Sequence, residues 1–202
     1  MKLPVACEVF YHEAFISVQE SAAIFDWICQ HCDMSDPGYV QMADGSQQPM
    51  RPWKMMFVDE PLVNTNLFHA AHGRRLVYPP ALIGLRNKIE QRLGIQFSVC
   101  VALYYPNGEE YMGFHYDPPA FGPTDIIASM NLGSARTFQL RRKSDHSELH
   151  NIELQDGSLI IMGEGCQEEY EHAVPAMSEC GPRINLTFRA FNWPEGMSRD
   201  NA

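Results

Sequence analysis

Apolar positions along the chain follow two different periods, and the change falls near Gly94. Before it, they recur at helical spacing. Ser17-Val-Gln-Glu20 has the form of a capping box, in which each side chain accepts from the other residue's backbone N–H. Ile24, Phe25, Ile28 and Cys32 then share one face, which predicts a first helix over Val18–Cys32. A second helix opens at Pro79-Pro80, carries Leu82, Leu85, Ile89 and Leu93 as one stripe, and stops at Gly94. Between the helices, Asp36-Pro-Gly38, Asp44-Gly-Ser46, Pro49 and Pro52 mark an irregular stretch.

After Gly94 the runs become short and rich in β-branched and aromatic residues. They cover Phe97–Tyr105, Met112–Tyr116, Ile126–Leu132, Thr137–Arg142, Leu149–Leu154, Ser158–Met162, His172–Val174 and Arg183–Phe191. Turn signals such as Pro106-Asn-Gly108, Pro118-Pro119 and Asp156-Gly157 separate them. Strands in succession with no helix between them exclude a doubly wound parallel sheet. They predict an α+β fold, a sandwich or jelly roll of about eight strands with two helices on its N-terminal side.

Length and composition fit this picture. A chain of 202 residues with 45% hydrophobic and 20% charged positions is read as one domain, 1–202, able to bury a full core. No apolar run approaches the roughly 18 residues of a membrane span. The first residues, with Glu8, His12 and Glu13, are unlike a signal peptide. The expectation is an intracellular protein, cytoplasmic or nuclear, with no membrane partner. Among the six cysteines, Cys29-Gln-His-Cys32 resembles half a zinc site, but no second pair has matching spacing. Cys29 and Cys32 are therefore read as small apolar residues of the first helix. The net charge of −10 argues against wholesale wrapping by nucleic acid.

Candidate chemistry enters with His-x-Asp/Glu. Non-haem iron sites use two histidines and one carboxylate on one face, leaving positions open for co-substrate and O₂. In a strand, residues i and i+2 point the same way. Three matches occur: His31-Cys-Asp33, His115-Tyr-Asp117 and His146-Ser-Glu148. The first ends a helix, where i and i+2 diverge, and the third lies in a polar turn. His115 ends a strand beside a loop, and His172 is the remaining histidine candidate in the strand-rich part. The last strand adds a second element. In Arg183-Ile-Asn-Leu-Thr-Phe-Arg189 the even positions are apolar, and the odd ones carry two guanidiniums and two hydrogen-bonding groups. Two arginines on one face suit a small dicarboxylate, as a 2-oxoglutarate oxygenase requires.

His115-x-Asp117, His172 and Arg183-x-Asn185-x-Thr187-Phe188-Arg189 together resemble the AlkB family of Fe(II)/2-oxoglutarate dioxygenases. Ile126-Ile-Ala-Ser-Met-Asn-Leu-Gly133, Arg136-Thr-Phe138 and Gly157-Ser-Leu-Ile-Ile-Met162 extend the similarity over roughly Arg51–Phe191, with wording nearest the nucleic-acid repair homologues. The resemblance implies a double-stranded β-helix. Residues 1–78 would then form an N-terminal extension carrying a substrate-recognition lid, and residues 79–193 the catalytic core. It implies His115, Asp117 and His172 as iron ligands. Tyr105, Arg183, Asn185 and Arg189 would hold 2-oxoglutarate. The reaction implied is hydroxylation of an N-alkyl group on a base by Fe(II), 2-oxoglutarate and O₂, with release of succinate, CO₂ and formaldehyde.

Two positions depart from the family pattern. Leu103 stands where the family commonly has Asn two residues before the co-substrate tyrosine, so one hydrogen bond to the co-substrate is lost or supplied from elsewhere. Pro118-Pro119 replaces the acidic residues that read a protonated, methylated base, so base recognition must differ. For a nucleic-acid strand, the sequence offers Arg136, Arg141-Arg142-Lys143, Arg74-Arg75 and Arg51-Pro-Trp53-Lys54 as phosphate contacts, with Trp53 or Tyr39 as a stacking platform. The partner implied is alkylated DNA or RNA, single-stranded or with a flipped base, bound by a monomer. The alternative is a 2-oxoglutarate-dependent hydroxylase or demethylase of a protein side chain or small molecule, favoured by the acidic charge and by Glu168, Glu169 and Glu171 near His172.

Overall fold

The computed structural model describes residues 1–36, 38–69 and 72–199. In chain order the elements are β1 (Val9–His12), α1 (Val18–His31), β2 (Tyr39–Gln41), β3 (Gln47–Pro49) and β4 (Trp53–Val58). A 3₁₀ turn (Glu60–Leu62), β5 (Arg74–Val77) and α2 (Pro80–Leu93) follow. The strand-rich part holds β6 (Val99–Tyr105), β7 (Met112–His115), β8 (Ile127–Gly133), β9 (Arg136–Arg142), β10 (Leu149–Leu154) and β11 (Leu159–Met162). It closes with a one-turn α3 (Cys166–Glu169), β12 (Tyr170–Val174) and β13 (Arg183–Arg189).

Both helices form where their caps and stripes place them. The Glu20 N–H donates to Ser17 Oγ and the Ser17 N–H to Glu20 Oε2, each at 3.2 Å. α1 ends one residue before Cys32, which is already extended. Gly94 terminates α2 in the left-handed region at φ 70°, where a residue without Cβ meets no penalty.

The strands form two main sheets. The larger has the order β1-β11-β8-β13-β6-β4-β5, the smaller β10-β9-β12-β7, and β2-β3 is a separate hairpin. All pairings among named strands are antiparallel except β4 with β5. Alternation along β13 sorts the large sheet into two faces. Ile184, Leu186 and Phe188 pack outward with Ile24 and Ile28 of α1 and Leu82, Leu85 and Ile89 of α2. Each such side chain removed from water contributes about 1.5–3 kcal/mol. A second cluster, including Ile127, Phe138, Leu140, Ile160 and Tyr170, fills the space between the sheets. The open end of that space is the cavity described below.

Residues 1–78 hydrogen-bond into the large sheet. β1 pairs with β11, and β4 hydrogen-bonds with β6 from Trp53 opposite Tyr104 to Val58 opposite Val99. Trp53-Lys-Met-Met-Phe-Val58 is buried on both faces, Lys54 only partly. A strand covered on both sides shows no alternation, and the prolines before it mimic a loop. All eight sequence-predicted strands are present; β1 to β5 are additional.

Candidate active site

The inner face of the large sheet and the facing β7 and β12 enclose a cavity of about 550 Å³. Its floor comes from local alternation. Arg183, Asn185, Thr187 and Arg189 of β13 line it, with Leu103 and Tyr105 of β6 beside them. Its opposite wall comes from a register shift. His172 pairs with His115 but Val174 with Met112, so a step of two residues along β12 matches a step of three along β7. This bulge lets Met112 and His115, three apart, both face the cavity.

His115 and His172 thus meet across the pair, ring centroids 4.3 Å apart. The Nδ1–H of His115 donates to the Gly113 carbonyl at 2.8 Å, which leaves the Nε2 lone pair for a ligand. His172 is buried and stacks on Phe138 at 5.4 Å. Burial, aided by the neighbouring His115, pushes its pKa down to about 4, against the pull of Asp117, so the imidazole is neutral. Asp117 lies past the end of β7 and is fixed by its backbone, whose N–H donates to Gln167 Oε1 at 2.8 Å. Its Oδ2 stands 3.8 Å from His172 Nε2 and its Oδ1 3.5 Å from Arg189 Nη1.

Two imidazoles and one carboxylate are the donor set of an open Fe(II) site. Among the described residues no three His, Cys, Asp or Glu groups stand at the separations of a formed metal site. Adjacent donors about 2 Å from an ion would be about 3 Å apart, so the 3.8 Å pair must close slightly. The donor types fit; the spacing is wider than a loaded site requires.

The guanidiniums supply the second test of fit. Arg183 is buried; its Nε donates to Asn131 Oδ1, its charge lies 4.9 Å from the Tyr105 ring, and its Nη1 has no partner. Arg189 donates through Nη2 to the Pro118 carbonyl at 2.6 Å, while its Nε is buried without a partner. Burial lowers the pKa of both, because a cation out of water needs a counter-charge. Orphaned donors on two buried arginines facing one cavity suit a dianion. Asn185 lines the cavity but its amide is engaged within the sheet, donating to Ser129 Oγ and the Met130 carbonyl.

The expected substrate contacts fare differently. Trp53 is buried in the helix-facing core with its Nε1–H on the Asp33 carbonyl, so it offers no stacking face. Arg136 is fully buried and donates to the carbonyls of Asn107, Glu110 and Pro175, which makes it a structural strut and not a phosphate contact. Arg141 pairs with Glu171 and lies over Phe114, Arg142 pairs with Glu148 and Glu169, and Lys143 donates to the Gln167 carbonyl over Tyr116. Two of the acids expected beside the metal, Glu169 and Glu171, are thus partners of the expected basic cluster. Tyr39 remains exposed, opposite Pro49 in a hairpin whose Gln48 and Pro49 line the cavity.

Sequence reasoning gave no site role to Asn131 or Gln167, which hold Arg183 and Asp117, nor to His72 and Phe121 of the cavity wall. A polar residue inside the apolar run Ile126–Leu132 was the available signal for Asn131. The rejected His-x-Asp/Glu pairs stay apart from the cavity: His31 stacks on Trp27 at 4.4 Å, and His146 lies 3.5 Å from Glu171 on the surface.

A family model described as the 2OG-Fe(II) oxygenase superfamily matches residues 8–189. Human alpha-ketoglutarate-dependent dioxygenase alkB homolog 3 is 28% identical over 192 residues, covering 90% of this chain and 65% of that protein. The DNA oxidative demethylase ALKBH2 of Arabidopsis thaliana is 24% identical over 209 residues, covering 90% of this chain and 66% of that one. The chain therefore spans just under two thirds of the length of these relatives. The solved structure of OsALKBH1 superposes with a TM-score of 0.62 at 14% identity, covering 93% of this chain and all of that one, and shares the fold.

Proposed function

Because the chain belongs to the 2OG-Fe(II) oxygenase superfamily, we propose that it is an oxidative demethylase that removes N-alkyl groups from nucleic-acid bases. The observation that carries this reading is a cavity that brings together the imidazoles of His115 and His172, the carboxylate of Asp117 and the buried, incompletely paired guanidiniums of Arg183 and Arg189. His115, Asp117 and His172 would hold the iron, with Gln167 fixing the backbone of Asp117 and Gly113 the tautomer of His115. Arg183 and Arg189 would each take a carboxylate of 2-oxoglutarate, and Tyr105, packed against Arg183, completes the inner end. Asn185 serves by keeping the β13 face in register with Ser129.

When bound, iron with 2-oxoglutarate and O₂ supplies oxidation of a C–H bond, with succinate and CO₂ as products. Hydroxylation of an N-methyl carbon gives a hemiaminal that loses formaldehyde. The chain's own part is to position the methyl carbon and keep water out. Met112, Phe138 and Val174 form an apolar wall beside the imidazoles for that purpose.

Similarity to AlkB homologues, one of them named for DNA demethylation, supports a nucleic-acid base as substrate. Exposed Tyr39 beside the cavity-lining hairpin could stack on an extruded base. The test is formaldehyde release from methylated DNA and RNA oligonucleotides by protein supplied with Fe(II) and 2-oxoglutarate. Formaldehyde from at least one of them is expected. Succinate formed only with a protein or small-molecule substrate would overturn the reading.

A further inference from the structure

The buried arginines of this fold differ in how their charge is met. Arg86 has Asp59 at 2.5 Å, Arg189 has Asp117 at 3.5 Å, and Arg136 has three backbone carbonyls. Arg183 differs from all three. Its Nε donates to the uncharged side-chain oxygen of Asn131, its Nη1 has no partner, and the ring beside it is Tyr105 at 4.9 Å. The ionisable groups that act on it most are Tyr105, Arg136 and Cys180, and none is a carboxylate. A guanidinium held out of water without a counter-charge favours any anion that can reach it.

Asn131 is fully buried in β8 and lies behind Arg183, outside the cavity lining. In the register of β13 against β8, Arg183 pairs with Gly133 and Asn185 with Asn131, so Arg183 and Asn131 share the inner face of the sheet. The orientation of the Asn131 amide is set by its partners. Its Nδ2 donates to the Leu154 and Gln155 carbonyls at 3.2 and 3.1 Å, which leaves Oδ1 as the group facing Arg183. Reversal would set an N–H against the Arg183 N–H and an oxygen against two carbonyls. Backbone bonds fix the residue further, from its N–H to the Ser158 carbonyl and from the Gly157 N–H to its own carbonyl, each 2.9 Å. The amide thus orients the guanidinium without neutralising it.

We propose that Asn131 is a positioning residue for the dicarboxylate co-substrate: it holds Arg183 through Nε and, being uncharged, leaves the whole charge and the free Nη1 for a carboxylate of 2-oxoglutarate. A carboxylate in its place would accept the same hydrogen bond but would pair with the guanidinium before the ligand arrives. The inference rests on the assignment of Arg183 to 2-oxoglutarate in the demethylase reading, and not on which compound is oxidised.

Calorimetric titration of 2-oxoglutarate into the Mn(II)-loaded protein reads the affinity. Thermal unfolding of the metal-free protein with glutarate, which has both carboxylates and no 2-oxo group, reads the cation without the metal. Glutarate should raise the Tm of the unaltered protein. Asn131→Ser is too short to reach Arg183 Nε but keeps a hydroxyl for the Leu154 or Gln155 carbonyl. It should weaken 2-oxoglutarate about tenfold, with kcat for succinate formation at saturating 2-oxoglutarate changed by less than about twofold. Asn131→Asp should weaken it about thirtyfold or more and abolish the glutarate response. A residue that only shaped the fold would be rescued by Asp, which keeps the Nε acceptor. Full 2-oxoglutarate affinity in either variant therefore overturns the inference. So does the absence of a glutarate shift in the unaltered protein, a result that requires no variant to fold. Arg183→Met separates the inference from the reading beneath it. Unchanged affinity in Arg183→Met refutes the assignment of Arg183 to the co-substrate. Lost affinity there, with full affinity in both Asn131 variants, refutes the role of Asn131 alone.

Discussion

Gln167 and Asp117 are joined by a hydrogen bond of 2.8 Å from the Asp117 backbone N–H to the glutamine Oε1. Gln167 is buried in α3, directly before the strand that carries His172. One side chain therefore links the loop bearing the carboxylate to the element bearing the distant imidazole. Gln167→Ala should weaken Fe(II) affinity by about 10–100-fold, the range for loss of an outer-shell partner. Glu in the same place retains the acceptor and should recover most of it. Metal titration followed by tryptophan fluorescence or calorimetry reads the difference; unchanged affinity in the alanine variant would remove Gln167 from the site.

Arg189 bridges Asp117 and the Pro118 carbonyl while its Nε remains unpartnered. Arg189→Ala should raise the KM for 2-oxoglutarate by about 30-fold or more, the effect of truncating one member of a buried charge pair. Lysine restores charge but not the planar fork, so Arg189→Lys should recover only part. Succinate formation against 2-oxoglutarate concentration measures both.

The metal-free protein should lose stability in mild acid through His172. Burial depresses its folded pKa to about 4 from an unfolded value near 6.5. The neutral form is the one the fold favours, so the contribution is complete above pH 6.5 and is lost as pH falls from there to about 4. The loss should amount to about 3 kcal/mol, seen as a falling urea midpoint. In His172→Gln that segment of the pH profile should flatten; an identical slope in both proteins would exclude His172 as its source.

Arg136→Leu should destabilise the fold by about 3 kcal/mol or more, since three carbonyls lose their donor in a buried place. Thermal unfolding reads this directly. Nucleic-acid affinity of the protein that remains folded should not change. A selective loss of affinity with normal stability would restore Arg136 as a strand contact.

Much of this was legible before any coordinates. The alternation in Arg183–Arg189 placed two arginines on one face and three apolar residues on the other, and the sheet uses both faces that way. The Ser17–Glu20 box and Gly94 set helix ends to within a residue. These are local properties: a strand repeats every two residues, and a cap is formed by residues three apart. His115 and Asp117 came from the same spacing argument, although the strand stops at His115 and Gln167, not strand geometry, holds the aspartate.

What the sequence by itself determined, then, is which residues share a face within one element. Only the tertiary structure decided which elements face each other. Arg141 looked like a free cation until β9 and β12 paired with Glu171 directly opposite it, and Arg136 until three distant carbonyls converged on it. Lys54 looked like part of an exposed basic loop until β4 joined the sheet beside β6 and turned it to the cavity. Strand order and register depend on burying the whole apolar surface at once, and no short window of sequence carries that sum.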